Sequence, residues 1–116
     1  MNQFVSPDVK TSNTISVGKF DDICWIRCEA KGSFMNSPVV KQWAEAQLAA
    51  GSKHFVMDLE LCTGMDSTFM GNLVDLAMKA TGVGGGLQVA DAPEKCVDLL
   101  EGLGLASLME LNPTIT

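Results

Sequence analysis

A serine that could carry a phosphate stands where a strand pattern gives way to a helix pattern. An apolar run ending at Leu59 is followed by Met65, Asp66 and Ser67, and then by apolar residues at helical spacing. The first turn of a helix has free backbone N–H groups and a partial positive charge, so it stabilises an anion placed there. Ser67 is therefore a candidate phosphorylation site.

Two other roles for Ser67 follow from its residue type. Serine is a preferred helix N-cap, worth about 0.5–2 kcal/mol over alanine, although Asp66 competes for that position. A catalytic serine would need a base within about 3 Å. The only histidine, His54, begins the strand that leads towards Ser67. Because a strand of this length spans roughly 20 Å, a small serine hydrolase is disfavoured and His54 is interpreted as a strand-edge residue.

Neither the glycines nor the acidic residues predict a cofactor or metal site. Gly82–Gly86 leads from a helix pattern into a strand pattern, whereas a phosphate loop leads from a strand into a helix. A helix C-cap followed by a tight turn explains it better. The acidic clusters are interpreted as a hairpin turn at Asp21–Asp22 and a solvated helix face with Glu94, Asp98 and Glu101.

The composition predicts one domain. With 116 residues the chain can bury a hydrophobic core without disulfide bonds or a structural metal. Its net charge of −6, with 8 Lys and Arg residues, argues against a nucleic acid or a membrane surface as partner. No apolar run reaches the roughly 18–20 residues that span a bilayer, and no secretory signal pattern occurs, so we expect a cytoplasmic protein. The four cysteines form no C-x-x-C pair and are expected to be reduced, small hydrophobic residues: Cys24, Cys28, Cys62 and Cys96.

Alternating strand and helix patterns predict an α/β fold with a mostly parallel sheet and right-handed crossovers. Residues 1–13 are mostly polar and aperiodic, so we expect a flexible N-terminus. The first predicted elements are an antiparallel hairpin of Thr14–Val17 and Ile23–Cys28 with a turn over 18–22, and a helix over 38–50 capped by Ser37. They are followed by a strand over Phe55–Leu59 buried on both faces, a helix from Ser67 to Gly82, and a strand over Leu87–Ala90. The last elements are a helix opened by Pro93, ended by Gly102 and Gly104 and with Leu103 facing inward, and a strand over Leu108–Leu111.

The residues around Ser67 resemble a signature of the STAS family, named for sulfate transporters and anti-sigma factor antagonists. Its members typically read Asp-Ser-Ser/Thr-x-x-Gly after a hydrophobic strand, and this chain has Asp66, Ser67, Thr68 and Gly71 in that order. Weaker matches are a proline-opened helix and a glycine-rich turn, at Pro93, Leu100, Gly104, Leu105 and Gly84–Gly86. The resemblance implies a STAS-like domain over 14–111, with 112–116 as a short tail.

By resemblance, we expect a bacterial anti-sigma factor antagonist, which is a binding module and not an enzyme. The unphosphorylated form would bind an anti-sigma factor that is also a serine kinase and that holds the ATP. Phosphorylation of Ser67 would end this binding, and a phosphatase would reset it. The alternative within the family is a STAS subunit of another assembly, such as a lipid-transport ATPase or a signalling scaffold. The residues expected to contact the partner lie around the serine: Asn36, Met65, Asp66, Thr68, Phe69, Met70 and Asn72.

Two departures from the family pattern carry expectations of their own. Many members have a Gly-Glu-Leu-Asp-like turn after the second strand, whereas this chain has Gly32 to Asn36, so Asn36 would take the place of the Asp without its charge. Many members also carry a further C-terminal helix, and this chain ends five residues after Leu111. We expect the apolar surface near Leu105, Leu108 and Leu111 to be partly uncovered and able to form a homodimer contact.

Overall fold

The computed structural model describes residues 14–112. The predicted flexible N-terminus, 1–13, and the tail beyond residue 112 lie outside the described residues. In chain order the elements are β1 Ile15–Phe20, β2 Ile23–Cys28, β3 Ala30–Gly32, α1 Ser37–Ala49, β4 His54–Asp58, β5 Cys62–Met65, α2 Ser67–Gly82, β6 Gly86–Ala90, α3 Glu94–Gly102, a 3-10 turn Ala106–Leu108, and β7 Glu110–Leu111.

The main sheet has five strands in the order β1-β2-β4-β6-β7. β1 pairs antiparallel with β2, and the remaining neighbours are parallel. The α/β fold with a mostly parallel sheet and an N-terminal hairpin is thus confirmed. The hairpin turn is shorter than predicted, because β1 continues to Phe20 and Asp21 turns the chain at a φ of 54°, a conformation that Asp tolerates better than most residues.

A second, two-stranded parallel sheet of β3 and β5 was not predicted from the sequence. Its strands have only three and four residues, too few to show a clear alternation of apolar and polar side chains. Ala30 pairs with Cys62, and Gly32 pairs with Met65. Since β3 leads into α1 and β5 leads into α2, this small sheet fixes the starts of the two helices relative to each other.

One face of the main sheet is buried under α1 and α2. Its core residues alternate along the strands, as the pleat requires: Cys24, Ile26, Cys28, Phe55, Met57, Leu87 and Val89. α2 adds its predicted apolar stripe, with Leu73 and Ala77 fully buried. All four cysteines are buried in this core, as expected for small hydrophobic side chains. Burial raises the pKa of the Cys96 thiol to about 12.

Two helix ends differ from the sequence predictions. Asn36 occupies the N-cap of α1, and Ser37, which was predicted to cap it, is a buried first residue of the helix. At the other end of the chain, α3 stops at Gly102, and Gly104 follows with a φ of 72°. Leu103 therefore lies beyond the helix and is exposed, so the prediction that it faces inward was wrong.

The C-terminal region forms only a short last strand. Leu108 lies in the 3-10 turn before β7, where it is 40% exposed, while Leu105 and Leu111 are half-buried against the core. A groove of roughly 710 Å³ borders Leu108 and the starts of β2, β4 and β6. The expected uncovered apolar surface is therefore present at Leu108. No helix within residues 14–112 is long and apolar enough to cross a bilayer.

Candidate functional site

Ser67 is the first residue of α2, and its side chain is exposed. Asp66 takes the N-cap position in an extended conformation, and its Oδ1 accepts a hydrogen bond from the backbone N–H of Phe69 at 2.9 Å. Within residues 14–112, the Ser67 hydroxyl has no hydrogen-bond partner. Because Asp66 caps the helix, the serine is available for modification at the positive end of the helix dipole.

Asp66 also joins two segments of the site. Its Oδ2 accepts a hydrogen bond from the backbone N–H of Phe34 at 2.9 Å, and its own N–H donates to the carbonyl of Gly32 at 2.9 Å. The N–H of Phe69 above all, then that of Phe34 and the charge of Lys31, hold the pKa of Asp66 below its usual range. Asp66 therefore stays ionised and fastens the β3–α1 loop to the start of α2.

The β3–α1 loop, residues 33–36, is held by Asn36. The side-chain oxygen of Asn36 accepts from the N–H of Ser33 at 2.9 Å, and its amide donates to the Thr14 hydroxyl at 2.9 Å and to the Lys31 carbonyl at 3.0 Å. Asn36 is buried. It lies in the loop where the family's Asp was expected, but it acts as an internal clamp and offers a partner little surface.

Three of the predicted contact residues, Met65, Phe69 and Met70, are buried in the core. The ring of Phe69 packs against Gly32 so closely that a Cβ at Gly32 would lie 2.6 Å from ring carbon Cδ2. A helix lying on a sheet must bury one face, and these residues are on that face. We expected these three residues to contact the partner. Because they are buried, they expose little surface to a partner and instead pack beneath the first turns of α2, which carries Ser67.

The remaining predicted residues divide between surface and support. Thr68 is exposed beside Ser67. Asn72 is half-buried, and its amide donates to the Ser37 carbonyl at 3.2 Å and to the Ser37 hydroxyl. Asn72 thus ties α2 to the start of α1, so it positions the site. Of the predicted residues, Ser67 and Thr68 are exposed, and Asp66 and Asn72 are partly exposed.

The sequence reasoning missed Phe34 and Met35. They are 64% and 76% exposed at the tip of the β3–α1 loop, next to Asp66. The sequence does contain a hint, because two adjacent apolar residues stand in a turn between Gly32 and the proline-opened helix. Their position next to Asp66 depends on the Phe34–Asp66 hydrogen bond. That bond joins residues 32 positions apart and cannot be read from the sequence.

His54 lies away from this site. It begins β4 and lines the groove at the N-terminal edge of the parallel strands, and Ser67 does not line that groove. Since β4 runs from His54 towards the opposite edge, the two residues are not arranged as a nucleophile and its base.

Three acidic residues that were not predicted to lie together form a cluster in the structure. Single carboxylate oxygens of Asp58, Glu60 and Asp91 lie within 4.8 Å of one another at the ends of β4 and β6. Asp58 is buried and already forms an ion pair with Arg27 at 3.0 Å. The charge of Asp58 is therefore neutralised within the protein.

These features define a small α/β domain that presents an exposed serine at a helix N-terminus. The chain belongs to the STAS domain family, whose family model matches residues 14–116. Comparison with curated protein sequences finds no match.

The solved structures that resemble this chain share its fold at low sequence identity. A candidate anti-sigma factor antagonist of Thermotoga maritima aligns over 87% of this chain and 87% of its own, with 20% identity and a TM-score of 0.78. The unphosphorylated form of the anti-sigma factor antagonist SpoIIAA, a Bacillus protein, aligns over 85% of this chain and 88% of its own, with 13% identity and a TM-score of 0.75. The murine anion transporter Slc26a9 matches 93% of this chain with 20% of its own length, at 13% identity and a TM-score of 0.66.

Proposed function

We propose that this chain is an anti-sigma factor antagonist that works as a phosphorylation-switched binding module. The observation that carries the proposal is the exposed Ser67 at the start of α2, with the capping role taken by Asp66. Its unphosphorylated form would bind an anti-sigma factor that is also a serine kinase, and phosphorylation of Ser67 would end the binding. The fold likeness to SpoIIAA supports the same class of function.

Two electrostatic effects of a phosphate on Ser67 oppose each other. The phosphate adds about −1.5 to −2 charges at neutral pH. In the free domain, the N-terminus of α2 stabilises this charge by about 0.3–1 kcal/mol, so the fold survives modification. In a complex the phosphate would be desolvated against a surface fitted to a hydroxyl, beside the carboxylate of Asp66. An unpaired buried charge costs about 3–5 kcal/mol, so the loss of binding dominates.

The partners follow from this switch. The kinase would supply the ATP and the phosphatase would remove the phosphate, so this chain needs neither a nucleotide site nor a cofactor. Its glycine-rich segment, Gly82–Gly86, lies at the C-terminal end of α2, where the helix dipole disfavours phosphate. The net charge of −6 favours a protein partner over a nucleic acid.

The test compares Ser67→Asp and Ser67→Ala for binding to purified serine kinases of the anti-sigma factor class from the source genome. Ser67→Asp should stay folded and lose roughly a hundredfold or more in affinity, since each 1.4 kcal/mol is about tenfold. Ser67→Ala should bind and resist phosphorylation, as measured by intact-protein mass spectrometry. Thr68→Ala is the matched control and should still be phosphorylated.

Three results would contradict the proposal. They are equal binding of Ser67→Asp and wild type, phosphorylation at Thr68 or Ser37 in place of Ser67, and hydrolysis of generic esters or ATP by the purified domain that disappears in Ser67→Ala.

A second candidate function is a STAS subunit of a larger assembly, such as a lipid-transport ATPase or a signalling scaffold. The match to one fifth of the Slc26a9 chain shows that this fold also occurs inside a much longer protein. Neighbouring genes discriminate the two candidates: a kinase-like ATPase gene favours the antagonist, and a transporter operon favours the subunit.

A further inference from the structure

Phe34 and Met35 are the two most exposed large apolar side chains in the described part of the chain, at 64% and 76%. Single exposed apolar residues are ordinary on protein surfaces. Two adjacent ones in one loop are less so, because together they expose a large apolar area at one place. We call it the Phe34–Met35 pair.

The loop that carries the Phe34–Met35 pair is fixed at each residue. The N–H of Phe34 donates to Asp66 Oδ2 at 2.9 Å, and the N–H of Met35 donates to the Ser33 hydroxyl at 3.1 Å. Asn36 is buried at the base of the loop. The backbone is thus ordered while both side chains face solvent. A preorganised apolar surface costs little further ordering when it binds.

The pair is also tied to the serine. Asp66 precedes Ser67 in the chain and holds the N–H of Phe34 through its carboxylate. The loop that carries the Phe34–Met35 pair therefore lies next to the segment that carries Ser67, within reach of a protein surface that covers the Ser67 hydroxyl. Aromatic residues and Met are enriched in protein interfaces, and Met adapts well to an irregular partner surface.

We propose that Phe34 and Met35 are the apolar anchors by which the protein that reads Ser67 holds this chain. The inference rests on the proposed function and adds the chemistry of the contact: the partner has an apolar recess beside the site that receives Ser67. The two parts of the surface have separate roles. The Phe34–Met35 pair supplies affinity, and the charge state of Ser67 decides whether the partner can approach.

The test measures the affinity of the same purified kinases for Phe34→Ser and Met35→Ser. Each variant should bind about tenfold more weakly, the size expected for truncating an interface anchor. The matched controls are Phe20→Ser, at the end of β1 in the β1–β2 hairpin, and Met78→Ser, further along α2. These two side chains are 50% and 60% exposed. Both controls should bind within about twofold of wild type, as expected for surface changes outside an interface.

The outcomes separate this inference from the proposed function. Weak binding by Phe34→Ser and Met35→Ser, with intact controls, supports the anchors. If both bind as wild type while Ser67→Asp does not bind, the anchors are wrong and the switch stands. If the controls lose as much affinity as the anchor variants, the apolar contact is nonspecific and the inference is overturned. If no kinase binds wild type or phosphorylates Ser67, the proposed function fails, and the inference fails with it.

Discussion

The two ends of α2 are both turns between a helix and a strand, yet their backbone groups have different partners. At the C-terminal end, the N–H of Gly85 donates to the Ala80 carbonyl at 2.8 Å, and the N–H of Gly86 donates to the Lys53 carbonyl at 2.9 Å. At the N-terminal end, Asp66 takes the cap and Ser67 is exposed. One end is closed by the protein's own backbone, and the other end faces solvent.

Helix polarity, more than glycine content, decides which end of α2 is suited to an anion. The glycine-rich turn has the composition of a phosphate loop, but it follows a helix whose C-terminus carries partial negative charge. The serine lies at the opposite, positive end of α2, where the glycine of the signature, Gly71, is inside the helix and not in the turn. The same helix therefore has one end suited to packing and one end suited to a phosphate.

The largest expected effect concerns the closed end. Gly85→Ala would place a Cβ 1.8 Å from the Lys53 carbonyl oxygen, a backbone atom that cannot move aside without shifting β4. We expect a loss of about 1–3 kcal/mol in the free energy of unfolding, as for overpacking, measured by urea denaturation. Gly86→Ala is the matched control, because its Cβ would meet nothing within 4 Å. Equal stabilities of the two variants would show that the turn tolerates the side chain.

The main fold could be predicted because each long element carries its own pattern. The apolar stripe of α2 and the buried run of β4 are local signals, and both were confirmed. The small sheet of β3 and β5 was missed since its pairing joins short segments about 32 residues apart. Leu103 was predicted to face inward because it continues the helical spacing of Cys96 and Leu100, but α3 ends at Gly102, one residue before it.

The position of Ser67 at the start of α2 was predicted, but the surface around it was not. Asp66 and Ser67 sit where their residue types indicate, since capping is a local interaction. Asn36 was expected to contact the partner protein, but it is buried and bonded to the Thr14 hydroxyl, 22 residues away in the chain. Phe34 and Met35 were missed because exposure of a loop tip depends on tertiary contacts.

The C-terminal end of α2 borders a groove that could contact another protein molecule. Gly85, Gly86 and the exposed Leu108 line the groove at that end. We propose that a second copy of the chain covers it, as an apolar contact would. Wild type should form a dimer in light scattering at high concentration, and Leu108→Glu should be a monomer. Leu103→Glu, at an exposed leucine outside the groove, is the control and should remain dimeric. A monomeric wild type would contradict the contact.

The smallest expected effect concerns Asp66, whose carboxylate both caps α2 and holds the β3–α1 loop. Its folded-state pKa is lowered, so its contribution to stability is present above the unfolded pKa of about 3.9 and is lost as the pH falls through the folded value. The amide proton shifts of Phe34 and Phe69 in NMR spectra should report one titration, below pH 3.9, because both N–H groups bind this carboxylate.

Asp66→Asn sharpens the same point. The variant keeps an oxygen for the N–H of Phe69, and Asn caps helices as well as Asp does. Its amide group, however, faces the N–H of Phe34 with a donor where Asp66 has an acceptor. We therefore expect α2 to remain intact while the Phe34 N–H exchanges faster with solvent in hydrogen-exchange NMR. The low-pH titration of both amides should disappear. If the Phe34 N–H exchanges at the wild-type rate, the carboxylate does not hold the loop, and the Phe34–Met35 pair must be ordered by Asn36 and Ser33 alone.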